Sequence, residues 1–212
     1  VSYEVADYER LTLTNEVALR VEAPDTRGRV AIARYAAAPA DVALRAAAGP
    51  TQCYSEAGIV TLDAPVQAGV GTLDPAVPLP LAETETVHAG DPLFVRVDDA
   101  DQNVDGAVRD MVEVRVRARD TGDTERLRLL ETGPDTGIFV GYLPSRLGSL
   151  TVDNCKLELA RDSSLEVTYV DRRYPADTAS VSGLVDPFGG VFDSTTGEPL
   201  DGMRVRLLDS AG

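Results

Sequence analysis

A period-two alternation of apolar and polar residues constrains this chain more than any other feature. In MVEVRVRARD, Val112, Val114, Val116 and Ala118 fall on one side of an extended chain, and Glu113, Arg115, Arg117 and Arg119 on the other. Successive side chains of a β-strand point to opposite faces, so this pattern predicts a half-buried strand. ERLRLLE repeats it with Leu127 and Leu129 inward, and GIFVGYL (137–143) and SLEVTYVD (164–171) add two more strands. Turn-forming clusters separate them: RDTGDT (119–124), TGPDTG (132–137), RLGS (146–149) and ARDSS (160–164). Short strands at this spacing predict a β-sandwich, and residues 67–173 read as one immunoglobulin-like domain with its first strand near GVGTLD.

The flanking regions carry weaker signals of the same kind. Over residues 1–66, ERLTLTNEVALRVEA (9–23) and GRVAIARY (28–35) read as strands. APADVALRAAAG (39–50) has a helix-like start, with Pro39 and Asp41 ahead of an alanine-rich run that Gly49-Pro50 stops. A β-rich N-terminal domain with one short helix is expected, able to share strands with the next. Residues 174–212 read as a linker, DRRYPAD (171–177), and then the first strands of a further sandwich in GGVFDSTTGEPLDGMRVRLLD. The expected fold class is all-β, with tandem immunoglobulin-like sandwiches. A start at Val1 and an end on RLLDSAG suggest a piece of a longer protein.

Charge narrows the function classes. The formal net charge is −15, a field that repels nucleic acid phosphates and anionic lipid and favours cations or basic protein surfaces. No apolar run approaches the ~20 residues of a membrane-spanning helix. His88 is the sole histidine, so a histidine-based triad has one possible centre, and no G-x-S-x-G elbow or zinc-type cluster accompanies it. The chain has no tryptophan to stack on sugars. The expectation is a protein that is not an enzyme. Cys53 and Cys155 are either one bridge or two buried thiols.

VDDADQNVDG is the one stretch with metal-ligand chemistry. Asp99, Asp101, Asn103 and Asp105 occupy every second position, with Gly106 closing the run. Hard cations such as Ca²⁺ take six to eight oxygens from such side chains. Counted from Asp101, ligand types and glycine fall as in an EF-hand, but Val112 stands where the bidentate glutamate belongs and a strand follows instead of a helix. Two readings stay open. One is a Ca²⁺ loop completed by Glu131, Asp135 or Asp171, and the other is a solvated acidic loop of good turn formers. Arg115, Arg117 and Arg119 are expected either to pair with carboxylates on neighbouring strands or to blunt a sheet edge.

Four segments in order carry a family resemblance: Gly90-Asp91, Asp99/Asp101/Asn103, LLETGPDTGIFVG (129–141), and Tyr169 with Asp171. Together they resemble the immunoglobulin-like modules of large bacterial surface and secreted proteins. The C-terminal GGVFDSTTGEPLDGMRVRLLD looks like the opening of the prealbumin-like sandwiches of adhesin stalks and carboxypeptidase regulatory domains. The resemblance implies tandem modules outside the cytoplasm (cell surface, secreted or periplasmic) that serve spacing and cell adhesion. Neighbouring domains of the same chain, and a protein partner at a surface, are the partners it implies. The expected role is a non-enzymatic structural or adhesive module rigidified by Ca²⁺. The alternatives are a recognition domain for a host or envelope partner, and an accessory domain of a secreted hydrolase.

Overall fold

A computed structural model describes residues 26–36 and 44–185, together with the backbone of two strands nearer the N-terminus. Those two, β1 (Ser2–Ala6) and β2 (Thr12–Glu16), pair antiparallel with each other. Next come β3 (Arg29–Tyr35), β4 (Leu44–Ala47), β5 (Gln52–Ser55), β6 (Gly58–Thr61), β7 (Val66–Gln67), β8 (Gly71–Thr72), β9 (Pro78–Glu83) and β10 (Thr86–Val87). The alternating stretches supply β11 (Leu93–Asp98), β12 (Met111–Ala118), β13 (Thr124–Glu131) and β14 (Ile138–Leu143). The short β15 (Ser145–Leu147) and β16 (Leu157–Leu159) precede β17 (Ser164–Val170) and β18 (Thr178–Val185). The fold is all-β, and a 3₁₀ turn at Ala100–Gln102 interrupts it after β11.

One mixed sheet of twelve strands holds most of the strand residues among those described. Its path runs β10–β18–β17–β12–β13–β14–β11–β3–β9–β4, with β5 joined to β13 and carrying β6. β13 changes partner along its length. Leu127 and Arg128 pair with Cys53 and Gln52 of β5, whereas Leu130 and Glu131 pair with Val140 and Phe139 of β14. The sheet folds over itself into a sandwich-like arrangement. Val30, Ile32, Val95 and Val97 from β3 and β11 share a core with Val114, Val116, Leu127, Leu129, Val167 and Tyr169 from β12, β13 and β17.

A second cluster lies on the outer side of β3, β11 and β14, where Ala33, Phe94, Val140 and Tyr142 meet Leu79 and Leu81. Those three strands are therefore buried on both faces, which is why their sequences are nearly continuous apolar runs. β12 and β17 bury one face only and keep a clean alternation.

The helix-like reading of 39–50 is corrected for the part that is described. Leu44–Ala47 is a strand, its backbone hydrogen-bonded to β9 with Leu44 opposite Leu81 and Ala47 opposite Pro78. The free edge of β9 outweighs alanine's helix propensity, and the small Ala46 and Ala48 side chains fit against Leu79 and Leu81. Residues 37–43 lie outside the described residues, as does the hairpin read at 189–209. Of the strand expected over 9–23, residues 12–16 are a strand and the others are likewise not described. The strand expected near GVGTLD is only the two-residue β8, paired with β7. The twelve-stranded sheet draws strands from both sides of positions 66 and 174, where the sequence suggests boundaries. β3 sits inside it beside β11, and β18 pairs with β17 from Ser164↔Leu184 to Val170↔Thr178.

Cys53 in β5 and Cys155 in the turn before β16 form a disulfide, which resolves the two alternatives left by the sequence. It closes a span of 102 residues and anchors an irregular turn to the sheet. Removing a native disulfide costs about 2–5 kcal/mol. The Cys53→Ala/Cys155→Ala double variant should lose stability in that range in urea denaturation. A midpoint equal to that of the wild type would contradict this.

Candidate functional site

Four chain segments meet at one pole of the sandwich. β3 begins there, paired through Arg29 with the end of β11 at Asp98, and β17 ends there at Val170, paired with the start of β18 at Thr178. The 3₁₀ turn after β11 is held by the Asp99 N–H donating to the Gly137 carbonyl at 2.8 Å. Gly137 has φ +61°, and a Cβ there would lie 2.9 Å from the Ala100 Cα, so glycine is required twice over.

Four aspartates converge in this corner. Asp99, Asp101 and Asp171 are at most 2% exposed, and Asp177 is half-buried. The Tyr169 hydroxyl donates to Asp99 Oδ2 at 2.7 Å and the Thr26 hydroxyl to Asp99 Oδ1 at 3.2 Å. The Thr26 N–H donates to Asp101 Oδ2 at 2.8 Å, and Gln102 Nε2 bridges Asp101 Oδ1 and Asp171 Oδ1 at 2.9 Å each. Asp171 Oδ1 also receives the backbone N–H groups of Arg173 and Tyr174. The Gly28 N–H donates to Asp177 Oδ2 at 2.6 Å. Only glycine permits that approach, since a Cβ at 28 would stand 2.5 Å from the Tyr169 ring and 3.1 Å from Asp99 Oδ2.

One oxygen is left over. Asp171 Oδ2 is buried and accepts no hydrogen bond. The Asp171 carboxylate belongs to a set in which one carboxylate oxygen each from Asp99, Asp171 and Asp177 lie within 4.8 Å of one another. Two oxygens that each stand 2.3–2.6 Å from a common Ca²⁺ can be at most about 5 Å apart, so the three fit one coordination sphere. The donors are all hard oxygens, which suits Ca²⁺ or a similar cation and not a soft metal.

Electrostatics point the same way. Burial pushes the Asp99 carboxyl up to about 6 against the Tyr169 hydroxyl's donation, and the charges of Asp101 and Asp171 add to the rise. Burial likewise raises Asp171, against the Tyr174 and Arg173 backbone donors. For Asp101 burial is outweighed by the donors Thr26 and Gln102, and its carboxyl sits below the ordinary range. The corner holds more negative charge than its hydrogen bonds offset. A cation or a proton relieves it.

The residues singled out by sequence divide. Asp99 and Asp101 belong to this corner. Asn103 turns away and donates to Asp135 Oδ1 at 2.7 Å on the surface, and Asp105 accepts from its own loop at the Ala107 N–H. Glu131 is fully buried but its oxygens are engaged as a loop fastener, one accepting from Thr136 and Gly137 and the other from Asp110. Asp171, named as a completing ligand, is central. Thr26 and Asp177 went unnoticed. Asp177 stood in a stretch read as linker, although Pro175 bends that stretch into a closed turn in which the Asp171 N–H reaches the Asp177 carbonyl.

The opposite pole carries a second buried acidic group of different character. Asp123, Glu125 and Glu158 are all fully buried. Arg146 and Asn154 saturate Glu158 Oε1, and Asp123 Oδ2 accepts the Glu158 N–H at 2.7 Å. Asp123 Oδ1 and Glu158 Oε2 have no donor. Burial and the Glu158 carboxylate raise Asp123, while Asn154 and Arg146 overcome burial to hold Glu158 low. One proton shared between Asp123 and Glu158 would satisfy both oxygens. Glu125 Oε2 lies 3.6 Å from Cys53 Sγ, but both sulfurs are committed to the disulfide and cannot ligate. Burial, then the charge of Asp123, pushes Glu125 up to about 7.

No protein-family profile matches the chain, and no curated protein matches it. Fold and site define a sandwich-like all-β protein with buried carboxylates at both poles.

The raised Glu125 value gives stability a pH dependence of fixed sign. Its folded value, about 7, exceeds the ordinary glutamate value of about 4.3. Its contribution is therefore complete below the lower value and is lost as pH rises through the higher one. In chelator, the melting temperature of the wild type should fall between pH 5 and pH 8, and Glu125→Gln should flatten that fall. An unchanged slope in the variant would refute the assignment.

Proposed function

We propose that this chain is a non-enzymatic structural and adhesive module of a large bacterial extracytoplasmic protein, stiffened by Ca²⁺ held among Asp99, Asp171 and Asp177. The observation that carries the reading is the Asp171 carboxylate, which has a buried oxygen, Oδ2, without a donor and lies with one oxygen within 4.8 Å of an oxygen each of Asp99 and Asp177. Leaving such an oxygen unpaired is costly, and a cation offsets that cost. Asp101, Thr26 and Tyr169 would act behind the ligands, fixing their orientation. The half-buried position of Asp177 leaves room for water to complete the shell.

The ion would join the start of β3, the end of β11, the end of β17 and the start of β18. Binding to the folded state alone would stabilise the module by mass action. The disulfide supports a location outside the cytoplasm, because such bonds persist in oxidising compartments. The acidic surface suits a medium in which divalent cations are plentiful. Neighbouring modules of the same long chain are the partners this role requires.

Calorimetry of the full chain at neutral pH tests the metal. Ca²⁺ at a hundredfold excess over its Kd should add about 2.7 kcal/mol relative to chelator. For a protein of this size that is a rise in Tm of roughly 5–10 °C. Asp171→Asn should abolish the response, and Asp135→Ala should leave it intact. Identical melting in Ca²⁺ and chelator would sink the proposal.

A further inference from the structure

The outer face of β12 and β13 bears a concentration of arginines that the rest of this acidic chain does not explain. Arg115 and Arg126 stand directly opposite each other across the β12–β13 pair, and both are exposed. On its other side Arg115 faces Thr168 of β17. Like charges in that register oppose pairing of the strands. The expected ion pairing with neighbouring strands is realised only at Arg119, 3.3 Å from Glu166. Among the described residues Arg115 forms no ion pair. β12 lies between β13 and β17, so blunting an edge is not its purpose either.

Arg115, Arg126 and Arg172 line a groove of about 510 Å³ with Thr168, Val170 and Pro175, and its wall also holds the carboxylates of Asp171 and of Glu113, the latter 3.9 Å from Arg172. Arg126 is held in place, its guanidinium 4.4 Å above the Tyr54 ring, and the Tyr54 hydroxyl is tied to Glu113. A guanidinium stacked on a ring keeps its N–H edges available in a fixed plane, ready for a carboxylate. Val170 is 43% exposed and offers an apolar contact between the charges.

We infer that this groove is an interaction surface for an acidic polypeptide segment of a partner protein, its carboxylates engaging Arg115, Arg126 and Arg172 and an apolar side chain covering Val170. The net charge of −15 and Glu113 on the groove wall repel a dense polyanion, whereas sparse carboxylates meet the arginines within the screening length of about 8 Å. A sulfated or phosphorylated polymer would leave the Val170 floor uncovered. A sugar chain would find the Tyr54 face already occupied by Arg126. The groove adjoins the cation corner through Asp171, which also lines it, but the contacts inferred here are to the arginines and Val170 and not to Asp171.

The test is fluorescence anisotropy of a labelled short peptide of alternating Glu and Val, titrated with the full chain at low salt. Saturable binding that weakens with added salt is expected, with about a tenfold loss in Arg115→Gln and a larger one in Arg115→Gln/Arg172→Gln. Arg115→Gln should melt at or above the wild-type temperature at low salt, because its repulsion with Arg126 is gone. That readout separates a binding arginine from a structural one. Absence of saturable binding, or equal affinity in Arg115→Gln, would overturn the inference. So would a lowered melting temperature in that variant, or displacement of the peptide by dextran sulfate at lower charge concentration than by unlabelled peptide.

Discussion

The repulsion among carboxylates taken out of water at one corner is the constraint on which the arrangement of this protein turns. Asp99, Asp101 and Asp171 lose their solvent there, and each is fixed by donors drawn from a different stretch of chain. Thr26 and Gly28 precede β3, Tyr169 is the last residue but one of β17, and Arg173 and Tyr174 lie in the turn to β18. Residues up to 149 positions apart are thereby held in register by short polar bonds and not by apolar packing alone. Such a network is favourable only when its charge is balanced, which ties the geometry of the four strand ends to whatever cation or proton is present.

The two poles meet the same difficulty differently. At the Asp99 corner, one carboxylate oxygen each from Asp99, Asp171 and Asp177 lie within 4.8 Å of one another, and Asp177 is half-buried. At the Asp123 pole the carboxylates are sealed, Arg146 already neutralises one of them, and a shared proton suffices. The disulfide lies beside that second pole and secures the turn that brings Asn154 and Glu158 to it. Both devices load stability onto ionisation states. Yet the Asp99 corner, with the cation proposed for it, would gain as the medium becomes richer in divalent ions, while the sealed pole gains as it becomes more acid.

Much of this was legible in the sequence where the signal was local. The alternation in 111–120, 125–131 and 164–171 gave strands within two residues of their observed limits, because one face of each is buried and the other is wet. Leu44–Ala47 was illegible for the opposite reason. Its residues favour a helix in isolation, and only the vacant edge of β9 makes it a strand. Asp99 and Asp101 were visible as a run of carboxylates, but Asn103, Asp105 and Asp135 belong to the same pattern and point elsewhere. Which aspartate turns inward is decided by the 3₁₀ turn and by Gly137, neither of which composition reveals. Asp177 was hidden because its partner, the Gly28 backbone, lies across the whole fold. With only two cysteines the pairing was never in question, but whether they meet depends on β5 joining β13.

The position of the Asp99 corner has a mechanical meaning. β3 departs from it, whereas β18 starts beside it and finishes at the opposite pole, where the Val185 N–H reaches the Ser163 carbonyl. Tension applied between Thr26 and Val185 would act along the strands, loading many ladder hydrogen bonds in shear at once instead of unzipping them in turn. The first bonds to feel that load are those from Thr26 to Asp101 and from Gly28 to Asp177, so the force needed to begin extension is set at the corner where a cation would sit. Single-molecule pulling from these two attachment points, with and without chelator, reads that force directly.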